Sequence, residues 1–305
     1  MSGPAPSRRE TSTESGLLVV DKPAGLTSHD VVGRVRRLAR TRKVGHAGTL
    51  DPMATGVLLL GVNRATRLLG HLALAEKSYD AVVRLGAATT TDDAEGEVVS
   101  TASVDGIDEA QVRQALEELV GDIEQVPSAV SAIKVNGRRA YQRVRDGERV
   151  ELAPRRVTVY AIDVHEVTPR DDALDVALSV RCSSGTYIRA IARDVGAALG
   201  VGGHLTALRR TAIGPVGIEE AVPLEVMEER GEVTLMTMGQ AGRRFFPSID
   251  VDEQQARDVG FGRSLDVRLP AAGPVAVIGP TGDLLALYER SSDDETRARP
   301  VAVFV

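Results

Sequence analysis

Apolar and polar positions along the chain fall into two repeating patterns, and each pattern predicts one kind of secondary structure. Runs that are continuously apolar or that alternate with a period of two predict strands in residues 16–22, 57–62, 77–89, 157–167 and 173–183. Apolar residues at helical spacing predict helices in residues 27–43, 107–121 and 186–200, and residues 63–75 predict a short helix. Because strands and helices follow one another without regular β–α–β alternation, the chain is predicted to form an α+β core.

Glycine, proline and polar residues mark the breaks between these elements. Residues 45–56, GHAGTLDPMATG, lack periodicity and predict a loop. Residues 127–156 are rich in arginine, and the Asn136-Gly137 pair predicts a hairpin within this basic excursion. From residue 246 onward, short strand patterns broken by Gly and Pro predict a small β-rich module in residues 246–305, with strands in 264–270, 273–280, 283–290 and 300–305.

Composition is that of an ordinary soluble globular protein. Hydrophobic residues make up 43% and charged residues 26% of the 305 positions. No apolar run approaches the roughly 20 residues that span a bilayer. Residues 1–15 are polar, lack the apolar core of a secretory signal, and predict a disordered tail ahead of a main domain in 16–245. Cys182 is the only cysteine, which excludes an intrachain disulfide and fits a cytoplasmic location.

The formal net charge of −6 argues mildly against a polyanionic partner, but the charges are unevenly placed. Acidic residues concentrate in residues 92–97, 108–122 and 291–295. Six basic residues fall within 33–46: Arg34, Arg36, Arg37, Arg40, Arg42 and Lys43. This cluster alone is typical of a solvated helix face, yet the uneven placement would also allow a basic face on an acidic protein.

Several familiar chemistries lack their sequence motifs. The five histidines form no HxxxH pair and there is no CxxC, so a metal site is not expected. Neither a phosphate-binding loop nor GxSxG is present. Carboxylate chemistry is left, with Asp51 before Pro52 in the glycine-rich loop. An Asx-turn is the usual explanation for such a pair, and His46, Tyr79 and Arg189 each have an ordinary structural explanation when taken singly.

Taken together, five segments resemble, in order, the motifs of the TruB-type tRNA pseudouridine synthases: residues 16–32, 45–60, 77–86, 131–141 and 181–211. The resemblance covers roughly residues 16–220, and its most specific string is GHAGTLDPMATG, where Ala47 stands in place of the threonine of many relatives. It implies a pseudouridine-synthase-like fold, with a mixed, mainly antiparallel sheet and flanking helices. The C-terminal module resembles a reduced PUA-like domain more weakly.

The resemblance also implies roles for individual residues. Asp51 matches the catalytic aspartate, Arg189 the arginine that pairs with it, and Tyr79 the tyrosine that stacks on the flipped uracil. The substrate-binding residues by this match are His46, which enters the space left in the RNA loop, Leu208, a pocket wall, and Lys22, a basic position near the site. The basic excursion resembles an RNA-gripping thumb, and the expected RNA contacts are Arg36, Arg37, Arg40, Lys43 and Lys134.

The family isomerises the uridine at position 55 in the T loop of tRNA, a reaction without redox change or net addition of atoms. The resemblance therefore implies tRNA, bound at its T arm, as the partner, no cofactor, no metal, no membrane and a monomer. Two alternatives stay open. One is an RNA-binding or RNA-folding protein that needs no catalysis; the other is a carboxylate hydrolase such as a glycosidase, which requires a second carboxylate facing Asp51.

Overall fold

The computed structural model describes residues 12–128, 134–135, 138–139, 152–292, 294 and 296–305. The strands in this part of the chain are β1 (Gly16–Lys22), β2 (Val44–His46), β3 (Thr55–Val62), β4 (Lys77–Leu85), β5 (Ala87–Thr89), β6 (Val98–Thr101), β7 (Gly121–Gln125), β8 (Lys134–Val135), β9 (Arg138–Arg139), β10 (Arg155–Arg170), β11 (Ala173–Cys182), β12 (Gly203–Ile213), β13 (Val216–Gly217), β14 (Val222–Pro223), β15 (Met236–Thr237), β16 (Ser248–Asp250), β17 (Val275–Ile278), β18 (Leu284–Arg290) and β19 (Ala298–Val303). The α-helices are α1 (Ser28–Leu38), α2 (Leu69–Leu72), α3 (Glu109–Glu117), α4 (Ile188–Ala198), α5 (Leu224–Arg230), α6 (Met238–Phe245) and α7 (Glu253–Gly260), and two 3₁₀ turns lie at Asn63–Arg67 and Ile218–Glu220.

An 11-stranded sheet forms the body of the molecule. Its main path is β14-β1-β3-β12-β4-β11-β10-β7, and β2, β13 and β15 pair with β3, β12 and β1. The pairs β1–β14 and β3–β12 are parallel, whereas β1–β3, β12–β4, β4–β11, β11–β10 and β10–β7 are antiparallel. The predicted α+β fold with a mixed, mainly antiparallel sheet is confirmed.

Burial follows the predicted periodicities. Every second residue of β4 is buried, and this face contributes to a core shared with the apolar sides of α1, α3 and α4. The first turn of α1 is capped by Thr27, whose side chain and that of Asp30 bond reciprocally to backbone N–H groups. Helix α3, predicted to stop at Gly121, ends at Glu117; Gly121, with φ of 109°, instead begins β7.

The C-terminal module is built on a four-stranded sheet, β16-β17-β18-β19. One face of this sheet packs against the main domain. There, Ile278 and Leu287 belong to the same apolar cluster as Leu17 and Leu59. The small C-terminal sheet is thus as predicted, while kinship with PUA-like domains stays a prediction.

Two details of this module differ from the predictions. The pattern of residues 264–270 predicts a strand, but only Leu265 pairs, through an isolated bridge with Ala298. Their alternating apolar residues fill the module's own small core as an irregular segment, so the periodicity arises from packing rather than strand pairing. Helix α7 is absent from the predicted elements; its sequence signal is the capping box of Asp252 and Gln255.

Two predicted segments fall at the edge of the described residues. Within the expected tail 1–15, residues 12–15 are hydrogen-bonded to the body: Asn63 Nδ2 donates to the carbonyls of Ser12 (3.1 Å) and Glu14 (2.5 Å). Strands β8 and β9 pair in the register of the hairpin predicted at Asn136-Gly137. Those two residues, and most of the basic excursion 127–156, lie outside the described residues. The predicted domain boundaries stay predictions.

Candidate active site

The glycine-rich loop, residues 47–54, joins β2 to β3 and is fastened from two sides. The hydroxyl of Ser28, the buried first residue of α1, donates to the Leu50 carbonyl (3.1 Å) and accepts from the Leu50 N–H (2.8 Å). The ammonium of Lys22 donates to three backbone carbonyls, including that of Pro52 (3.2 Å). These bonds hold the backbone on both sides of Asp51.

Lys22 is fully buried, so its three donors are occupied by the protein itself. Burial lowers its pKa to about 8. Among the nearby charges, the Asp51 carboxylate has the largest effect, and it raises this pKa. A substrate-binding role for Lys22, which the resemblance implies, stays a prediction. Lys22 lies next to the site, but the geometry makes it a brace for the loop.

Arg189 and Asp51 form an ion pair, with Nε of the guanidinium 3.0 Å from Oδ2 of the carboxylate. The arginine side chain is 4% exposed and the aspartate 36%, so the pair has a protein side and an open side. Arg189 lies in the first turn of α4, whose N-cap is Tyr187. The buried side chain of Gln125 bonds to both the N–H (2.8 Å) and the carbonyl (3.1 Å) of Tyr187, fixing the start of this helix.

A second carboxylate, Asp93, binds the same guanidinium. Its Oδ2 lies 3.2 Å from Nη1 of Arg189, and Nη1 also donates to the Thr91 carbonyl (2.9 Å). Asp93 is itself held, because its Oδ1 accepts from the Thr91 hydroxyl and from the Glu95 N–H. The arginine therefore joins the glycine-rich loop to the loop 90–97.

The electrostatics of Asp51 reflect this mixture of burial and charge. Burial raises the pKa of the Asp51 carboxyl above its ordinary value, and Arg189 offsets only part of the rise. The negative charge of Asp93 adds to the increase. Asp51 is thus a carboxylate whose ionised form is a stronger base than an exposed aspartate, held in place by one fixed cation.

A cavity of about 260 Å³ opens beside the ion pair. Its volume is smaller than the roughly 300–1,000 Å³ that is usual for sites of drug-sized ligands. It is lined by Gly48, Thr49, Leu50, Asp51, Ala73, Lys77, Tyr79, Gly185, Thr186, Tyr187, Ile188, Arg189, Leu208 and Arg210. Of the residues predicted from the sequence, Asp51, Tyr79, Arg189 and Leu208 meet here; Lys22 and His46 do not line it.

Arg210, which the sequence did not single out, connects several parts of the cavity. It is 1% exposed, and its guanidinium donates to the carbonyls of Val57 (2.7 Å), Gly48 (3.1 Å) and Thr49 (3.4 Å). Its positive charge also acts on the phenol of Tyr79, which lines the same cavity. Burial raises the pKa of Tyr79, and Arg210 offsets part of that increase, so the hydroxyl stays protonated at neutral pH.

The predicted RNA-contacting residues divide into two groups. Arg36 is half-buried and donates to the Val44 carbonyl (3.2 Å). Arg37, Arg40 and Lys43 are exposed and form no ion pair with any other residue in the described part of the chain. Lys134 lies in β8, and its side chain is outside what the structure describes.

His46 is the last residue of β2 rather than part of the following loop. It is half-buried. In the sequence it follows the exposed Lys43 and comes immediately before the loop that carries Asp51.

The residues missed from the sequence share a reason. Asp93 belongs to a run of acids that predicts an exposed loop, Gln125 ends a strand, and Arg210 lies within β12. Local sequence patterns do not reveal these three residues, because each side chain binds a partner far along the chain. In the part of the chain that the structure describes, no three His, Cys, Asp or Glu side chains cluster as metal ligands, and none of its helices is long and apolar enough to cross a membrane.

The sequence matches the models of one family along most of the chain. The TruB family pseudouridylate synthase N-terminal domain model matches residues 36–188, the tRNA pseudouridylate synthase B C-terminal domain model 189–235, and the tRNA pseudouridine synthase II C-terminal model 246–305. The tRNA pseudouridine synthase B of Arthrobacter sp. (strain FB24) is 54% identical over 300 residues, covering 95% of this chain and 96% of that protein.

A second relative, the tRNA pseudouridine synthase B of Cutibacterium acnes, is 54% identical over 292 residues, covering 96% of this chain and 99% of its own. Among solved structures, a chain of a Cbf5-Nop10-Gar1 complex superposes with a TM-score of 0.72 at 25% identity, covering 98% of this chain and 92% of that one. The chain belongs to the TruB family of tRNA pseudouridine synthases, which are isomerases.

Proposed function

We propose that this enzyme converts the uridine at position 55, in the T loop of tRNA, to pseudouridine, with Asp51 as the covalent catalyst. One observation carries the proposal: the ion pair of Asp51 and Arg189 lines a cavity that Tyr79 and Leu208 also line. The position of the target uridine follows from the family resemblance, and tRNA is the substrate named for the relatives.

The reaction breaks the bond between uracil nitrogen 1 and the ribose and makes one from carbon 5. A nucleophile divides this exchange into smaller steps. Attack of the carboxylate at ribose carbon 1′, formation of a glycal, and attack at uracil carbon 6 all begin with an ionised Asp51. Arg189 favours that ionised form and holds the carboxylate in one orientation.

The target base leaves its stack before it can reach the cavity. Tyr79 and Leu208, both largely buried, offer apolar surface against which a flipped uracil packs. Because the pKa of Tyr79 is raised, its phenol acts as an O–H donor and a packing surface at neutral pH. It is not a resting phenolate base, which argues against simple removal of the carbon 5 proton by an ionised Tyr79.

The basic residues ahead of the loop supply the rest of the binding surface. Arg37, Arg40 and Lys43 are exposed and contact the phosphates of the T arm in this proposal. The chain acts as a monomer in the cytoplasm, where its tRNA substrate is found. Its residues do the chemistry without a cofactor, since the isomerisation needs no electron or group donor.

The decisive experiment incubates the protein with an unmodified tRNA transcript and maps pseudouridine by position. We expect one product, in the T loop, and none with Asp51→Asn. Pseudouridine at another position would overturn the substrate assignment. An Asp51→Asn protein as active as the unmodified one would overturn the catalytic assignment.

Neither alternative is favoured by the geometry. A glycosidase-like hydrolase requires a second carboxylate across the cavity. Asp93 lies close by, but it is 4% exposed, binds Arg189, and is not a lining residue. An RNA-folding role without catalysis leaves the ordered Asp51–Arg189 pair without a use; refolding of tRNA by Asp51→Asn measures that role separately.

A further inference from the structure

A tight turn at the rim of the cavity presents an exposed leucine. Ala73 and Lys77 both line the cavity, and Leu74 between them is 74% exposed. Among the large apolar side chains in the described ranges, only Phe261, at 77%, is more exposed. Single exposed leucines are common, so the informative feature is how this one is held.

The backbone around Leu74 is fastened at several points. The ammonium of Lys77 donates to the carbonyls of Ala73 (2.9 Å) and Ala75 (2.7 Å), the residues on either side of Leu74. The N–H of Gly214 in turn donates to the Glu76 carbonyl (2.8 Å). The leucine therefore projects from a fixed turn, and its position does not have to be ordered when a partner binds.

Holding this turn requires a charge inside the protein. Lys77 is 6% exposed, its ammonium bonds to carbonyls rather than to a carboxylate, and Arg210 adds a second positive charge nearby. Burial lowers the pKa of Lys77 to about 8. A neutral residue would serve as well if the only need were to fill space at the start of β4.

We propose that Leu74 is an apolar contact for the nucleotide next to the flipped uridine, and that Lys77 is the positioning residue that holds Leu74 at the rim. The inference rests on the proposed function. When one base leaves its stack, a face of the neighbouring base loses its cover, and apolar side chains at such sites take the place of the missing base. Every base has such a face, so the contact tolerates different sequences.

The test compares Leu74→Ser with Leu74→Met and with a matched control, Val98→Ser, at a valine that is 62% exposed on β6 and is not a lining residue of the cavity. With unmodified tRNA transcript, Leu74→Ser is expected to raise KM about tenfold, the effect of losing one well-buried apolar contact. The single-turnover rate at saturating RNA stays within about twofold, because Leu74 does not touch the reacting atoms. Leu74→Met restores KM, and Val98→Ser leaves it unchanged.

If the KM of Leu74→Ser equals that of the wild type, the proposed contact between Leu74 and the nucleotide is wrong. Absence of pseudouridine with the unmodified protein instead overturns the proposed function, so the two failures are distinguishable. For the positioning role, Lys77→Met is expected to raise KM similarly, and the double variant with Leu74→Ser to be no worse than either single one. Additive effects overturn that role. If Lys77→Met does not fold, Lys77→Gln, which keeps a donor for one carbonyl, replaces it in the cycle.

Discussion

Nη1 of Arg189 lies 3.2 Å from Oδ2 of Asp93, and both side chains are 4% exposed. The arginine that pairs with Asp51 is therefore anchored by a carboxylate that does not line the cavity. A buried guanidinium with a single partner on an open loop would be free to turn. Asp93 and the Thr91 carbonyl fix the guanidinium of Arg189 away from the open loop, and Asp93 is the charged member of this anchor for Asp51.

Asp93→Asn is expected to lower the single-turnover rate by about 10²-fold, since small displacements of a catalytic pair have effects of that order. The Kd for RNA should change little, because Asp93 has no contact with the cavity. The Asp93 charge raises the pKa of Asp51, so its removal should move the acidic limb of the pH–rate profile to lower pH.

The matched control for this change is Asp92→Asn, whose carboxylate pairs with Arg193 rather than Arg189. It should retain the wild-type rate within about threefold, as a partly exposed ion pair contributes little. Equal losses in the two variants would mean that the loop, and not the anchor, matters.

Arg189→Lys tests the electrostatic link from the other side. Lysine keeps the positive charge but cannot reach both carboxylates with a planar fork. Arg189 lowers the pKa of Asp51 against the effect of burial, so weakening it raises that pKa further. Catalysis needs the ionised form of Asp51 and is lost as the pH falls through the pKa of Asp51 in the folded protein. The acidic limb should therefore move to higher pH.

Single-turnover rates from about pH 5 to about pH 9 measure this shift. Arg193→Lys, on the same helix but paired with Asp92, serves as the control and should keep the wild-type profile. An acidic limb that stays in place in Arg189→Lys would contradict the proposed ionisation of Asp51.

Local sequence patterns predict elements well here, but not the contacts between distant loops. The Thr27 cap and the alternation in β4 are local, and both agree with the structure. The proximity of Asp51 and Arg189 follows from the family resemblance, since nothing near Asp51 distinguishes it from a turn. Asp93 lies in an acidic polar stretch that predicts a surface loop, but in the structure it is buried and paired with Arg189, which is distant in sequence.

Lys22 and residues 264–270 show how tertiary contacts add what local patterns do not contain. Nothing local to Lys22 shows that the chain returns and surrounds its ammonium with three backbone carbonyls. The alternating apolar residues of 264–270 predict a strand, yet only Leu265 finds a backbone partner. In both cases the decisive neighbours are supplied by tertiary packing, which periodicity does not encode.

The exposed basic residues near α1 predict a salt-dependent affinity despite the net charge of −6. Each phosphate contact removed should reduce the slope of log K against log salt by about 1. Arg37→Ala and Lys43→Ala are expected to weaken binding and flatten the slope. Arg34→Ala, at a side chain that pairs with Glu228 (3.1 Å), is the control and should leave the slope unchanged. An unmodified protein whose Kd does not vary with salt would remove the electrostatic part of the proposal.

Gly56, the second residue of β3, shows how closely the start of this strand is fitted to β12. It has φ of 98°, and a β-carbon placed there would lie 2.2 Å from the carbonyl oxygen of Arg210. Strands β3 and β12 run parallel at this point, with Gly56 opposite Arg210. Gly33, within α1, is the matched glycine, because a β-carbon placed there would have no neighbouring atom within 4 Å.

Replacing each of these glycines by alanine should therefore change the free energy of unfolding in opposite directions. Gly56→Ala is expected to lower it by about 1–3 kcal/mol from the backbone conformation alone, and by more from the clash. Gly33→Ala should raise it by about 0.5–1 kcal/mol, because alanine loses less conformational freedom in a helix. Urea denaturation of the two variants measures both values, and a Gly56→Ala protein as stable as the unmodified one would show that β3 and β12 can separate without loss.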